Sequence, residues 1–180
     1  MSGVVRYVDD FLIVSDSQLQ CQSDLEILVG TSVNSGFSVQ PSKIAGPSGV
    51  MEFLGIEIDA INGILRISDD RMADIQGLLS EWRGRRSCSK RQLLQLVGKL
   101  AFAARVVRKG RAFLGRLITL AKGLRCLHFR TRLSIEARRD IEWWADSLVI
   151  HNGVALFPKD WPSESVTHIF TDASNYGYGA

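Results

Sequence analysis

The sequence predicts an α+β fold: a β-α-β-β segment, then an all-helical region rich in basic residues, then a new β segment. Before residue 68, short runs of β-branched and aromatic residues are separated by turn residues, as is typical of strands. From residue 72 onward, apolar residues recur instead every three to four positions, which is the period of a helix face. The strand pattern returns near the C-terminus in VTHIFTDAS. About 46% of the residues are apolar, which is enough for a hydrophobic core.

The first predicted element is a strand, tight turn and strand over residues 4–14, because Val, Ile, Leu, Phe and Tyr fill both arms. The polar residues 15–17 can cap a helix that runs from about 18 to 34, and residues 34–36, Asn-Ser-Gly, are typical of a helix end. The segment FSVQPSKI is predicted to be a short strand interrupted by Pro41.

A second hairpin is predicted in MEFLGIEIDAINGILRIS. Residues 50–58 form one arm, residues 64–67 form the other, and Asn62-Gly63 supplies the turn. The first 67 residues are therefore expected to contain two hairpins and one helix.

Four helices are predicted after these hairpins. The first has an apolar face over residues 72–82. Ser89 and Gln92 form a capping box at the start of the second, which continues through LLQLVGKLAFAARVV. The third fits residues 110–124, and the fourth begins at Ser134.

The basic residues are unevenly distributed along the chain. The formal net charge is only +3, but seventeen of the twenty-two Lys and Arg lie in residues 82–139, where Glu136 is the only acid. Such a segment repels itself unless a polyanion neutralises it, so we expect contact with a nucleic-acid backbone. Because aromatic residues do not alternate with the basic ones, this contact should be indifferent to base sequence. A solvated charged face is the alternative.

Hydropathy and cysteine content limit the cellular compartments in which the protein is expected. The chain has no run of about 18 uncharged apolar residues, so no membrane partner is expected. Cys21, Cys88 and Cys126 are odd in number and widely spaced, and they match neither a disulfide framework nor a zinc site. They predict reduced thiols in an intracellular protein, with cytoplasm and nucleus both open.

Two adjacent aspartates, Asp9 and Asp10, lie between the apolar arms of the first hairpin in RYVDDFLIVS. A hairpin tip projects its side chains beyond the sheet, and carboxylate oxygens are ligands for hard cations such as Mg²⁺. Nucleotidyl transfer uses two such ions, about 3.5–4 Å apart, to stabilise the attacking and leaving oxygens. The pair therefore predicts half of a metal site. The alternative is a turn without chemistry, since aspartate tolerates turn geometry.

YVDD between apolar strands resembles the palm motif of reverse transcriptases, and further segments follow in the order of that family. GFSVQPSKI is similar to the next palm motif, and FLGIEID resembles the primer-grip hairpin. SKRQLLQLVGKLAFAARVV resembles the helical thumb, most closely that of DIRS-like retrotransposons. RRDIEWWADSL resembles the connection, and FTDAS the first strand of an RNase H-like domain. The resemblance covers essentially the whole chain and implies an RNA-directed DNA polymerase.

The resemblance implies roles for individual palm residues. Asp9 would be a ligand of two catalytic Mg²⁺ ions, with Mn²⁺ as an alternative, and Asp10 would be the second carboxylate. Tyr7 and Val8 would lie near the primer end and the incoming deoxynucleoside triphosphate. Lys43 matches the palm lysine that protonates the departing pyrophosphate; the alternative is a surface lysine without chemistry.

Contacts to primer and template follow from the same resemblance. Phe53, Leu54 and Gly55 match the primer grip, where glycine allows close approach of the primer backbone; a glycine bulge is the alternative. Asp172 resembles the first metal-binding carboxylate of RNase H-like domains. The thumb residues expected to contact an RNA or DNA template with its primer are Lys90, Arg91, Lys99, Arg105, Arg108 and Lys109.

The resemblance divides the chain into four parts. Residues 1–67 are the C-terminal part of the palm with the primer grip, 68–133 the thumb, 134–164 the connection, and 165–180 the start of a truncated RNase H-like domain. Since the family's third metal-binding aspartate lies upstream of its YxDD hairpin, we expect this chain alone to be inactive. We also expect its exposed palm face to be available for association. A non-catalytic nucleic-acid-binding module and an interaction protein that uses this face are the alternatives.

Overall fold

The computed structural model of the protein describes residues 2–155, 172–174 and 177–179. Strands and helices are mixed along these ranges, which confirms the predicted α+β class. No helix in the described ranges is both long and apolar enough to cross a membrane.

The chain begins with an antiparallel hairpin of strands β1 (Gly3–Tyr7) and β2 (Asp10–Val14), followed by helix α1 (Gln18–Asn34). The Ser17 hydroxyl caps α1 by accepting a hydrogen bond from the Gln20 backbone N–H at 3.2 Å. The predictions of a hairpin over residues 4–14 and of a helix over 18–34 are therefore confirmed.

This N-terminal unit buries none of its side chains. Ser15 at the end of β2 donates a hydrogen bond to the Asp24 carboxylate at 2.8 Å, and Gln20 donates another. These two bonds lower the pKa of Asp24. A two-stranded sheet of this kind is at best marginally stable without further packing. The large apolar side chains that remain exposed on the unit are Val4, Val5, Tyr7, Val8, Phe11, Val14, Leu19, Ile27 and Val33.

The segment between α1 and the second sheet forms no strand, so the prediction of a strand in FSVQPSKI was wrong. Pro41–Lys43 forms a single 3-10 turn instead, closed by hydrogen bonds from Lys43 N to Gln40 O and from Ile44 N to Pro41 O. Proline lacks a backbone N–H and has a fixed φ, which suits the first position of a helical turn and excludes a ladder position.

Strands β3 (Val50–Phe53), β4 (Ile56–Asp59) and β5 (Ile64–Ile67) form an antiparallel meander. The single arm predicted for residues 50–58 was therefore wrong. Leu54-Gly55 divides it with a tight turn in which both residues have positive φ, 54° and 79°, as two-residue hairpin turns require.

The helical region begins with α2 (Asp69–Trp82), where the predicted apolar face is buried. Ser89 and Gln92 form both hydrogen bonds of the predicted capping box. The third helix begins at Gly115 rather than at 110, because Arg108–Phe113 forms a 3-10 helix. Two short strands, which the sequence did not predict, pair antiparallel within this region. Its further elements are β6 (Ser87–Ser89), α3 (Lys90–Ala103), α4 (Gly115–Lys122), β7 (Arg130–Arg132) and α5 (Ile135–Ser147).

The hydrophobic core lies almost entirely within the helical region. Helices α2, α3, α4 and α5 direct their apolar faces to a common interior, and Ile67 at the end of β5 joins it. Trp144 of α5 is 0% exposed and is the largest of the fully buried side chains. The helical region therefore has the buried apolar surface that the N-terminal unit lacks.

Strand β8 (Val154–Ala155) pairs antiparallel with β5, and β9 (Asp172–Ser174) pairs with β10 (Gly177–Gly179). The predicted strand in VTHIF lies outside the described residues, as does much of the segment assigned to the RNase H-like domain. Part of the predicted connection, residues 156–164, also lies outside them. Asp172 is the first residue of β9.

Candidate functional site

Asp9 and Asp10 lie at the tip of the N-terminal hairpin. Val8 and Asp9 form its two-residue turn, and Asp10 is the first residue of β2, paired with Tyr7. Both aspartates are exposed. Neither carboxylate has a hydrogen bond or an ion pair with another of the described residues. The hairpin therefore presents two adjacent, unpaired carboxylates to solvent.

The backbone of this turn is strained at Val8. Its φ is 53°, in the left-handed region that β-branched residues rarely adopt, at a cost of about 1–2 kcal/mol. Arg6 supports the turn, because its Nε donates a hydrogen bond to the Val8 carbonyl at 2.9 Å. The Arg6 guanidinium also lies over the Phe11 ring, 5.8 Å from the centroid. The sequence analysis missed Arg6; its only signal is the register that sets Arg6 opposite Phe11.

The metal-binding capacity of the hairpin depends on these two carboxylates. The part of the chain that the structure describes contains no group of three or more His, Cys, Asp or Glu side chains that could hold a metal ion. Asp9 and Asp10 supply hard oxygen donors, the type that Mg²⁺ prefers. They can therefore serve as two ligands, and a complete site requires others.

Lys43 lies on a separate, exposed segment, at the end of the 3-10 turn. Within the described ranges no hydrogen bond or ion pair joins it to Asp9 or Asp10. The structure thus brings the two aspartates together but does not link the lysine to them.

The Leu54-Gly55 turn contacts the helical region. Gly55 is buried, and a Cβ atom added to it would lie 3.2 Å from the Arg71 side chain of α2 and 3.3 Å from the Phe102 ring of α3. The Ser68 N–H, just before α2, donates to the Gly55 carbonyl. The positive φ favours glycine here, and the helices leave little room for a Cβ atom. The turn is therefore fixed in position relative to the helices.

The six predicted thumb contacts fall into two groups. Lys90 donates its Nζ hydrogen bond to the Leu124 carbonyl, and Lys99 forms an ion pair with Asp74 at 2.6 Å. These two lysines join α3 to the residues after α4 and to α2. The other four are exposed, with no side-chain partner among the described residues, and are Arg91, Arg105, Arg108 and Lys109.

Four exposed basic residues between α3 and α4, which we call the basic loop, lie within seven positions of the sequence: Arg105, Arg108, Lys109 and Arg111. The loop packs against two tryptophans of α5. Gly110 is buried so tightly against Trp144 that an added Cβ would lie 2.1 Å from the indole Cη2. Phe113, at the end of the 3-10 helix, stacks on Trp143 with ring centroids 4.0 Å apart and an interplanar angle of 12°. The charges therefore extend from a rigid base, as a backbone-binding surface requires.

Another basic residue of this region has a structural role. The Arg116 guanidinium donates to both oxygens of Asp140, at 2.8 and 3.0 Å, and Asp140 is 2% exposed. The hydrogen bonds and the charge of Asp140 raise the pKa of Arg116. Arg116 thus satisfies a buried carboxylate of α5.

No family model matches this sequence, and no curated protein matches it. Among solved structures, the chain is similar to one described as the foamy viral protease-reverse transcriptase dRH in complex with double-stranded DNA. The TM-score is 0.61 at 20% sequence identity, and the match covers 81% of this chain and 24% of that chain. The chain therefore has a fold similar to part of a reverse transcriptase and spans about a quarter of the length of that protein.

Proposed function

We propose that this chain is the C-terminal palm, thumb and connection of a retroelement reverse transcriptase, an RNA-directed DNA polymerase. The observation that supports it most is the pair of exposed, unpaired carboxylates on a strained hairpin turn, within a fold similar to part of a reverse transcriptase. The proposed parts are residues 1–67, 68–133 and 134–164, with the start of an RNase H-like domain at 165–180. Membership of the DIRS-like group rests on the sequence motifs.

Asp9 and Asp10 are the proposed ligands of the two Mg²⁺ ions, or of Mn²⁺ in their place. When bound, such ions stabilise the attacking and leaving oxygens of nucleotidyl transfer. In this proposal Tyr7 and Val8, at the same turn, are near the primer end and the incoming deoxynucleoside triphosphate. Lys43 is the proposed proton donor to pyrophosphate, a role that requires it to approach the aspartates, with which it makes no hydrogen bond or ion pair in the described ranges.

Two further assignments concern the nucleic acid. Phe53, Leu54 and Gly55 are proposed to grip the primer, because their turn is held firmly against α2 and α3. Asp172, at the start of β9, is the proposed first carboxylate of the RNase H-like domain. Both assignments rest on the motif resemblance.

The basic loop is the proposed contact with the phosphates of a primer–template. Its four charges are exposed, have no carboxylate partner in the described ranges and share a rigid base. The solved neighbour was determined in complex with double-stranded DNA. Each phosphate neutralised adds about 0.9 to the slope of log affinity against log salt concentration. Changing Arg105, Arg108 and Lys109 together to Gln should therefore lower that slope by about 2 to 3.

Catalysis is tested by primer extension on an RNA template with Mg²⁺. Because the described residues contain no third carboxylate beside Asp9 and Asp10, the 180-residue chain alone should not extend the primer. A longer protein with the remaining polymerase residues should extend it, and its Asp9→Asn variant should not. Extension by the isolated chain, or by the Asp9→Asn variant, would contradict the proposed site.

A non-catalytic nucleic-acid-binding module is the second candidate. It is favoured by the absence of a third carboxylate beside the pair in the described ranges, together with the free charges of the basic loop. Salt-dependent duplex binding that Asp9→Asn leaves unchanged, with no extension by the longer protein, would support it over the polymerase.

The exposed apolar residues of the N-terminal unit are proposed to pack against further polymerase residues, whether in the same chain or in another. Covering them would remove apolar surface from water and protect the edges of the two-stranded sheet. A separately produced fingers–palm fragment should then bind the chain. Binding that persists after Val4 and Phe11 are changed to Ser would contradict this use of the face.

A further inference from the structure

A cleft lined by arginines lies beside the small β6–β7 sheet, away from the basic loop. Its walls are formed by Arg86 and Ser87 from the β6 side, Arg132 and Leu133 from the β7 side, and Arg138 from α5, around a volume of about 430 Å³. The Leu133 N–H donates to the Arg86 carbonyl at 2.9 Å, which continues the β6–β7 pairing. Three arginines, one from before β6 and two from the β7–α5 segment more than 40 positions later, therefore line one cavity.

The charge in this cleft has no counterion within the described chain. None of Arg86, Arg132 and Arg138 forms an ion pair there. Moreover, the Nε of Arg138 is buried and has no hydrogen-bond partner. A buried donor without a partner costs free energy. Three like charges around one cavity also repel each other until an anion enters.

The two acids nearest to Arg138 in the sequence do not supply that anion, and Asp140 is already paired with Arg116. Glu136 accepts hydrogen bonds from its own backbone N–H and from Ser134 at the start of α5, and these lower its pKa. Arg116 and Arg139, which do not line the cleft, are the basic residues that lower it further. The guanidinium groups of the cleft therefore remain uncompensated.

We propose that Arg86, Arg132 and Arg138 form a binding site for a phosphate group. Guanidinium is planar and presents paired N–H donors that match two oxygens of a phosphate. Three such groups, with Ser87 in the same wall, suit a tetrahedral anion better than they suit a single carboxylate. The cavity also has room for more than one phosphate and its attached group.

Two sources could supply this phosphate. One is the backbone of the primer–template, in which case the inference rests on the proposed function and extends its nucleic-acid surface from the basic loop to the β6–β7 face. The other is a free phosphate compound, such as a nucleotide. The chemistry of recognition is the same in both, and binding experiments separate them.

The first experiment measures thermal unfolding of the 180-residue chain in inorganic phosphate against chloride at equal ionic strength. The wild-type midpoint should rise with phosphate concentration, and the Arg132→Gln and Arg86→Gln variants should lose most of that response. Arg132 and Arg86 are exposed, so neither change should prevent folding. Arg132→Lys, which keeps the charge but loses the paired donors, should bind phosphate more weakly than wild type. Arg125→Gln removes one exposed arginine outside the cleft and is the control matched in charge.

The second experiment measures binding to a primer–template duplex over a range of salt concentrations. If the backbone is the ligand, Arg132→Gln should weaken binding about tenfold and lower the salt slope by about 1, and Arg125→Gln should do less. If the cleft variants lose the thermal response to phosphate but bind duplex as Arg125→Gln does, the cleft binds a free phosphate compound. Cleft variants that match Arg125→Gln in both experiments would overturn the proposal. Failure of the wild type to bind duplex would count against the proposed function, and the phosphate experiment would still decide the cleft.

Discussion

Gly110 is the position at which a single methyl group should have the largest effect on both stability and nucleic-acid binding. It lies in the 3-10 helix beneath the basic loop, with its Cα against the indole of Trp144. An added Cβ would lie 2.1 Å from Cη2 and 2.2 Å from Cζ2 of that ring. Carbon atoms in contact are about 3.5–4.0 Å apart. Gly110→Ala must therefore displace either the indole or the loop.

The expected magnitude follows from the packing around the ring. Trp144 is 0% exposed and lies in the core, so it cannot move without disturbing its neighbours. Overpacking of this kind costs about 1–3 kcal/mol, and the lower entropy of the unfolded Ala chain offsets about 0.4–1 kcal/mol. A net loss of about 1–2 kcal/mol corresponds to a fall in unfolding midpoint of about 2–8 °C for a chain of this size. If the loop moves instead, the basic residues move with it and duplex binding weakens.

Urea and thermal unfolding followed by circular dichroism measure the first effect, and duplex binding measures the second. Gly115→Ala is the matched control, because a Cβ at that exposed position meets nothing within 4 Å. It should leave the protein as stable as wild type or slightly more stable. Combining Gly110→Ala with Trp144→Leu provides a second check, since removing the indole removes the clash. The double variant should be less destabilised than the sum of the two single changes.

Two results would refute this reasoning. One is a Gly110→Ala variant as stable as Gly115→Ala that binds duplex as the wild type does. The other is strict additivity of Gly110→Ala and Trp144→Leu, because it would show that the added methyl group does not meet the indole.

Three other substitutions test separate contacts. Arg116→Gln should lower the unfolding midpoint more than Arg125→Gln does, because it leaves the buried Asp140 carboxylate without its guanidinium partner. Loss of such a partner costs about 1–3 kcal/mol. Equal midpoints for the two variants would contradict this. Hydrogen bonds from the Asn62 side chain and backbone are the chief cause of the lowered pKa of Asp59. Asp59 therefore stabilises the fold at pH values above its unfolded pKa of about 3.9. This contribution is lost as the pH falls through the folded pKa. The wild type should therefore exceed Asp59→Asn in urea midpoint at pH 7 and converge with it in acid, and a constant difference would exclude the carboxylate as the cause. Val8→Gly should slow hydrogen exchange in β1 and β2 by removing about 1–2 kcal/mol of backbone strain; unchanged exchange would show that the turn is not strained.

The N-terminal hairpin and the helices could be predicted because their signals are local. Alternating apolar residues over 4–14 and helical periodicity over 72–82 depend only on positions close in sequence, as does the capping box of Ser89 and Gln92. Two of the errors arose where one backbone position overrides a pattern. Leu54-Gly55 forms a tight turn within a segment that is apolar on both sides of it. Pro41 begins a 3-10 turn where the sequence pattern predicts a strand.

Some features of the candidate site could likewise be predicted from the sequence, and others could not. The adjacent carboxylates Asp9 and Asp10 and the excess of basic residues are visible in the sequence. Which basic residues are free is not visible, because Lys99 and Arg116 find their carboxylate partners on other helices, 25 and 24 positions away. The supporting role of Arg6 depends likewise on strand register.

The sequence by itself determined the hairpin with two carboxylates at its tip, the approximate positions of the helices, and the concentration of positive charge in one region. These depend on residue type and on spacing within a few positions of the chain. Only the tertiary structure decided which charges are neutralised, that Gly110 is held against Trp144, and that Arg86, beside β6, shares one cavity with arginines of β7 and α5. The physical reason is that pairing and burial depend on distances in space between residues that packing brings together, and the spacing of residues along the chain does not set those distances.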